Sequence, residues 1–155
     1  MVLKNRCGMK RLIIVIMLSI PLALSAQTTY KESLQKIYDN YLKKQGFTTV
    51  EISKDMLTAM GVEDGIDSMT AISTEDVVAL PQFCEDVLVY LSQLKQLMSF
   101  VNDGKRVQIC ASPGRTTLSI FTQADTSAVL ITLTGSDIKI ETATSMFGGE
   151  KSGKR

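Results

Sequence analysis

The strongest constraint on the fold of this chain is a series of three β-rich runs in its second half. The runs are Lys105–Ala111, Thr116–Gln123 and Ala128–Thr134, and each alternates β-branched or apolar residues with polar ones. A Pro-Gly pair at 113–114 separates the first two, and Ala-Asp-Thr at 124–126 separates the last two. Sequential strands joined by tight turns pair antiparallel, so this region predicts a meander.

A fourth strand is predicted just before these runs. The apolar period of the preceding segment continues through Leu94, Met98 and Val101, which would also suit one long helix to about residue 100. We favour a break at 92–95, because Asn-Asp-Gly at 102–104 is a hairpin signal. Met98–Val101 then becomes the first strand of a four-strand meander.

The first half of the chain alternates predicted helices and strands. An amphipathic helix is predicted over 29–45, with Gly46 as its stop, followed by a strand over Phe47–Ile52. Ser53 is a suitable N-cap for a short helix over Lys54–Met60.

Further elements are predicted on either side of the acidic middle of the chain. A strand is expected over Ser68–Ser73, and Glu75 or Asp76 is expected to open a second main helix. Ile138 and Ile140 could add a short edge strand after the meander. The predicted fold class is α+β: an antiparallel sheet with a C-terminal four-strand meander and two main helices packed on one face.

The first 26 residues have the layout of a secretory signal peptide. Four basic residues precede the apolar run Leu12–Leu24, which is shorter than the roughly 20 residues that span a membrane. Cleavage is predicted after Ala26, with Ser25 as the alternative, and Met9 is an alternative start to Met1. The predicted organisation is a signal peptide at 1–26, one domain at 27–147 and a disordered tail at 148–155.

Export removes four of the 17 basic residues and leaves 13 against 16 acidic ones, a net charge of −3. That charge disfavours nucleic acid as a partner. We expect the periplasm as location, with the cell surface or the medium as alternatives, and no stable membrane anchor after cleavage. The chain has no histidine, which excludes histidine-based catalysis and histidine metal sites.

Cys84 and Cys110 are the cysteines that remain after cleavage. An oxidising compartment favours pairing them, so they are a candidate disulfide. Against this, Cys84 belongs to a predicted helix, and Cys110 alternates with Ile109 and Ala111 and should lie on the other face of its strand. Two unpaired, partly buried thiols are the alternative.

Several segments resemble a family of small exported Bacteroidota proteins known as domain of unknown function 4252. The matching segments are Val-Glu-Ile-Ser-Lys-Asp-Met at 50–56, Val-Asn-Asp-Gly-Lys-Arg-Val at 101–107 and Val-Leu-Ile-Thr-Leu-Thr-Gly at 129–135. The similarity covers about residues 28–147. It implies an α+β fold, an envelope location and a link to envelope stress or signalling. It assigns no catalytic or binding residue, and the cysteine pair is not a feature of the family.

Eight acidic residues and no basic one lie between Lys54 and Lys95. Within this run Glu63, Asp64 and Asp67 are the candidate ligands of a hard cation, although their spacing does not match an EF-hand loop. A docking patch for a basic partner is a second interpretation. A solvated acidic surface is the interpretation we favour.

No catalytic motif is present, so the sequence predicts a non-enzymatic protein of the cell envelope. It would bind another envelope protein or a small ligand, without a cofactor. One alternative is an enzyme that works through carboxylates or a thiol, which would need a cysteine in an open cleft beside a basic residue. The other is a carrier of a small apolar ligand between the first helix and the sheet.

Overall fold

The computed structural model describes residues 30–62 and 65–141. It contains a six-stranded antiparallel sheet and three helices. The helices are α1 (30–41), α2 (Lys54–Ala59) and α3 (Leu80–Leu91). The strands are β1 (Phe47–Ser53), β2 (Ile66–Thr74), β3 (Lys95–Asn102), β4 (Lys105–Ala111), β5 (Thr117–Gln123) and β6 (Ala128–Gly135). The predicted signal peptide, its cleavage site at Ala26 and the tail at 148–155 lie outside the described residues.

The strand order is β1-β2-β6-β5-β4-β3, and every neighbouring pair is antiparallel. The four consecutive strands β3 to β6 form a meander, which confirms the predicted fold class. The β3–β4 hairpin turns at Asp103 and Gly104, whose φ values of 57° and 76° are both left-handed. This is the conformation that a two-residue hairpin turn requires, and it explains why the chain breaks into a strand after α3.

Alternation along the strands divides the interior into two cores on opposite faces of the sheet. The helix-side core contains apolar residues of α1 and α3 packed with Ile72, Phe121 and Leu130 of the sheet. The second core lies on the opposite face and contains Leu57 of α2 with Ile109 of β4. Every strand of the meander contributes to one or both cores, so the sheet is the common wall between them.

Helix α1 is shorter than the sequence indicates. Leu34, Ile37 and Tyr41 lie on its buried stripe as the helical period requires. The predicted end was Gly46, but the helix ends at residue 41 and Lys43 adopts a left-handed φ of 63°. A single left-handed residue interrupts the helical hydrogen-bond pattern, so the segment 42–46 becomes a turn into β1.

Helix α3 also begins later than predicted. Glu75 or Asp76 was expected to open it, but the helix begins at Leu80. The carboxylate of Asp76 accepts the N–H of Val78 at 3.0 Å, and the Asp76 carbonyl accepts the N–H of Leu80 at 3.0 Å. These bonds close a turn that leads into the helix, where Pro81 suits the first helical turn.

The chain after β6 does not form the predicted edge strand. Asp137 has a left-handed φ of 47°, which turns the chain out of the sheet. Ile138 then packs into the second core and donates its N–H to the Arg115 carbonyl at 3.0 Å. Residues 140 and 141 are helical. The expectation of a strand over Ile138 and Ile140 is therefore wrong.

Candidate functional site

The most distinctive surface of the molecule is the free edge formed by β3. This strand ends the sheet and pairs only with β4. Its sequence, Lys-Gln-Leu-Met-Ser-Phe-Val-Asn, contains one charged residue and no proline. Edge strands of soluble proteins are normally protected by charges, prolines, β-bulges or short length. Strand β3 has a register shift between Gln96 and Met98, but none of these features interrupts Ser99–Val101.

Large apolar side chains are exposed along this edge. Met98 is 38% exposed, Phe100 is 40% exposed and Val101 is 71% exposed. Side chains alternate between the faces of a strand, so Met98 and Phe100 lie on the face of the second core and Val101 lies on the helix side. An extended segment placed beside β3 would therefore meet apolar contacts on both faces.

Hydrogen bonds at the end of β4 establish which way the backbone amides of β3 point. Ser112 N–H donates to the Thr117 carbonyl at 2.9 Å, so even-numbered residues at this end of β4 bond towards β5. The odd-numbered residues of β4 therefore bond towards β3. They lie opposite even-numbered residues of β3, as in the pair of Val107 with Phe100.

Between the register shift at Gln96 and Met98 and the hairpin turn, the odd-numbered residues of β3 consequently direct their backbone groups away from the sheet. In the centre of the strand these are Ser99 and Val101. Their N–H and C=O groups form a short row that can accept another strand. We call Met98, Ser99, Phe100 and Val101 together the free edge.

The opposite edge of the sheet is more polar. Strand β1 reads Phe-Thr-Thr-Val-Glu-Ile-Ser, and the hydroxyl of Thr49 accepts the N–H of Lys43 at 3.3 Å. The turn after α1 therefore contacts β1 from the side. Glu51 adds a charge in the middle of that strand. These features protect β1 against pairing with another strand. The two edges of the sheet therefore differ in residue composition.

Basic residues concentrate around the β3–β4 hairpin. Residues 95–115 contain four basic side chains and one acidic one, Asp103, whereas the eight-acid run precedes them. The basic residues are Lys95, Lys105, Arg106 and Arg115. Among the described residues the one ion pair joins Lys54 to Asp67 at 3.8 Å, so none of these four has an acidic partner there. The free edge therefore has positive charge at both ends.

A cleft of about 500 Å³ lies at the Lys95 end of the free edge. It is formed where α3 passes into β3 and where β4 turns into β5. Its walls contain Lys95 and Arg115, both exposed, and no acidic residue. The backbone of Arg115 is fixed from both sides, because its N–H donates to the Ser112 carbonyl at 2.9 Å and its carbonyl accepts from Ile138.

Asp67 is the one predicted cation ligand that lies within the described residues. Glu63 and Asp64 lie outside the described residues, and Asp67 is exposed and pairs with Lys54. In the ranges 30–62 and 65–141, no group of three or more metal-binding side chains converges.

Two other acids of the run have structural contacts. The Tyr41 hydroxyl donates to Asp86 Oδ2 at 2.6 Å, and Gln82 Nε2 donates to Asp86 Oδ1 at 2.9 Å. Asp76 closes the turn before α3. Part of the acidic run therefore holds α1 and α3 together.

Cys84 and Cys110 are both free thiols in the structure. Cys110 is buried in the helix-side core, and Cys84 packs against the same core. The expectation that the strand direction of Cys110 would separate it from Cys84 is wrong, since the helix side is the face that Cys110 shares with Phe121. Burial raises the pKa of both thiols, which disfavours the thiolate form that a nucleophile needs.

A row of buried hydroxyl groups, which no sequence pattern predicts, crosses the helix-side core. The hydroxyl groups of Tyr90 and Ser119 are 2.7 Å apart, and those of Ser119 and Thr132 are 3.3 Å apart. Tyr90 and Ser119 are fully buried. Every polar atom of this row finds a partner, so it orients α3 on the sheet and leaves no group for a ligand.

This burial predicts a loss of stability at high pH. Burial raises the pKa of Tyr38, Tyr41 and Tyr90, and the Asp86 carboxylate raises that of Tyr41 further. Tyr30 has the opposite sign: burial raises its pKa, but hydrogen bonds, first from Ser112, lower it more. Above pH 10 the unfolded chain loses the phenolic protons that the three raised groups keep in the folded state. Tyr41 and Tyr90, whose pKa is raised most, then each lower the free energy of unfolding by up to about 1.4 kcal/mol per pH unit.

Urea unfolding at pH 8, 10 and 11 measures this effect. We expect the midpoint to fall steeply above pH 10, and the Tyr90→Phe variant to show a shallower fall. A midpoint that does not change between pH 8 and 11 would contradict the placement of these hydroxyls.

No helix within the described part of the chain is long and apolar enough to cross a membrane. Comparisons with protein-family models, curated proteins and solved structures found no match to this chain. The candidate site therefore rests on the geometry of the free edge and the cleft.

Proposed function

We propose that this chain is an exported, non-enzymatic binding protein of the cell envelope that captures an extended segment of a partner protein on β3. The segment would add a seventh strand to the six-stranded sheet. Export and the envelope location are supported by the layout of residues 1–26 and by the resemblance to the Bacteroidota family.

The free edge is the observation that carries this proposal. The outward amides and carbonyls of Ser99 and Val101 supply sequence-independent hydrogen bonds to the backbone of a partner. The exposed side chains of Met98 and Phe100 supply apolar contacts that select its side chains. Such an edge is a liability for a protein that never uses it, because it promotes aggregation. Its presence opposite the more polar β1 edge favours a binding role.

The two alternative functions receive less support. A thiol enzyme needs an accessible thiolate, but Cys110 is 2% exposed and burial raises its pKa. A carrier of an apolar ligand needs space between α1 and the sheet. That region is filled by Leu34, Ile37 and Tyr41, which belong to the same packed core as Leu130.

Selection from a random peptide library with free C-termini, on the immobilised protein, tests the proposal. We expect selected peptides to bind the wild type and to lose at least about tenfold in affinity on Ser99→Pro, because proline removes the outward N–H. The odd-numbered positions of β1 point outward by the same alternation, so Glu51→Pro is the matched control at the other edge. It should leave binding unchanged. Peptides that bind Ser99→Pro as tightly as the wild type would contradict the proposal.

N-methylated peptides provide a test that leaves the protein intact. Methyl groups on the amides that face β3 should abolish binding, whereas methyl groups on the alternate amides should not. Equal loss from both sets would exclude strand addition. Analytical ultracentrifugation adds a third outcome: a stable dimer that Ser99→Pro dissociates would mean that a second copy occupies the edge, which also contradicts the proposal.

A further inference from the structure

We infer that the segment captured by β3 is the C-terminal end of its chain, and that the basic cleft beside Lys95 binds its terminal carboxylate. This inference rests on the proposed function and adds to it the chemistry of the partner. It follows from the direction of β3, the distance from the free edge to Lys95 and the charge of the cleft.

The direction of β3 determines which end of an added segment reaches the cleft. All neighbouring strands of this sheet are antiparallel, and antiparallel pairing is the more stable arrangement. A segment antiparallel to β3 runs from the Asn102 end towards the Lys95 end. Its C-terminus therefore arrives at the cleft. A parallel segment would instead place its N-terminal end, with a positive charge if free, against two basic side chains.

The distance from Ser99 to Lys95 determines where the captured segment ends. Ser99, where the outward hydrogen bonds begin, is four residues from Lys95, but a register shift lies between Gln96 and Met98. The same span covers three residues of β4, from Gln108 to Ala111, or about 10 Å along an extended strand. A captured segment therefore ends about three residues beyond the residue that pairs with Ser99. The cleft of about 500 Å³ has room for a terminal residue and its side chain.

The positive charge of the cleft suits a terminal carboxylate. Lys95 and Arg115 line the cleft, and neither has an acidic partner among the described residues. A guanidinium can donate two parallel hydrogen bonds to a carboxylate, and an ammonium adds a third donor. The backbone contacts of Arg115 fix the position of its Cα beside the cleft, so only its side chain has to be ordered on binding.

Paired peptides test the inference. A peptide selected on the free edge is synthesised once with a free C-terminus and once as the C-terminal amide. We expect amidation to weaken binding about tenfold or more, because it removes a charge-assisted interaction. The Lys95→Gln/Arg115→Gln double variant should bind the acid and the amide equally. The Lys105→Gln/Arg106→Gln double variant removes the same charge at the far end of the hairpin and should keep the preference for the acid.

The outcomes separate this inference from the proposed function. If the amide binds the wild type as tightly as the acid does, while Ser99→Pro still abolishes binding, the carboxylate site is wrong and strand addition stands. A preference for the acid that survives Lys95→Gln/Arg115→Gln would also overturn the site. If no peptide responds to Ser99→Pro, both the inference and the proposed function fail.

Discussion

Replacing Phe83 with alanine is expected to lower the free energy of unfolding by about 3–5 kcal/mol. Phe83 is fully buried in α3, at the centre of an aromatic cluster in the helix-side core. Its ring centroid lies 5.0 Å from Tyr41, 5.3 Å from Phe47 and 6.3 Å from Phe121, in edge-to-face geometry each time. Removing this ring leaves a cavity that four rigid elements surround, so little of it can collapse.

Urea unfolding of Phe83→Ala against the wild type measures the loss. Small domains have total stabilities of about 5–15 kcal/mol, so the variant should unfold at a much lower urea concentration. Leu88→Ala is the control on the same helix, since Leu88 is 41% exposed and should cost far less. If the two substitutions cost the same, α3 does not pack on the sheet as described.

Gly135→Ala is the second substitution with a large expected effect. A Cβ at Gly135 would collide with the carbonyl oxygen of Gly65 and would lie 2.9 Å from the Cα of Ile66. Both atoms belong to backbone at the start of β2, which cannot rotate away as a side chain could. The substitution must therefore push β6 from β2 or break their pairing, at a cost of about 1–3 kcal/mol or more.

Gly61→Ala is the informative control for that substitution. Gly61 has a left-handed φ of 87°, but nothing lies within 4 Å of an added Cβ. Its cost should come from the backbone conformation alone, about 1–2 kcal/mol. Thermal unfolding of both variants separates the two causes: Asn restores much of the loss at Gly61, because Asn tolerates left-handed backbone, and worsens it at Gly135. Recovery at Gly135 with Asn would contradict the close approach of β6 and β2.

Local patterns predicted the strands of the meander well. Alternating β-branched residues and turn residues are properties of adjacent positions, so β4, β5 and β6 were predicted to within about one residue. The Asn-Asp-Gly turn likewise placed β3 in front of them. The end of α1 was less predictable, because the left-handed residue Lys43 donates its N–H to Thr49 of β1, a contact that the local pattern of α1 does not indicate.

The order of the strands could not be read from the sequence. Strand β2 pairs with β6, more than 50 residues away along the chain, and that pairing leaves β3 and β1 as the edges. No local pattern indicates which strand will be last. The contrast in charge did indicate this region, since residues 55–94 contain eight acids and no base, whereas residues 95–115 contain four bases and one acid. The sequence analysis singled out the acidic run, whereas the candidate site lies among the basic residues of 95–115.

The two cores explain why a free edge can persist in this fold. Residues on both faces of the central strands are buried, and the sheet therefore keeps its shape without a seventh strand. Edge-strand pairing then contributes to binding and not to folding. This separation predicts that variants of the free edge change affinity with little effect on stability, in contrast to Phe83→Ala and Gly135→Ala.

Residue-specific amide exchange of β3, with and without a selected peptide, shows whether the partner adds a strand to β3. In the free protein the outward amides of Ser99 and Val101 should exchange quickly, while the amides of Met98 and Phe100 should be protected by β4. Saturating peptide should slow exchange at Ser99 and Val101 and leave the β1 edge at Glu51 unchanged. Protection that appears elsewhere, with Ser99 and Val101 still exchanging quickly, would show that β3 is not where this protein binds its partner.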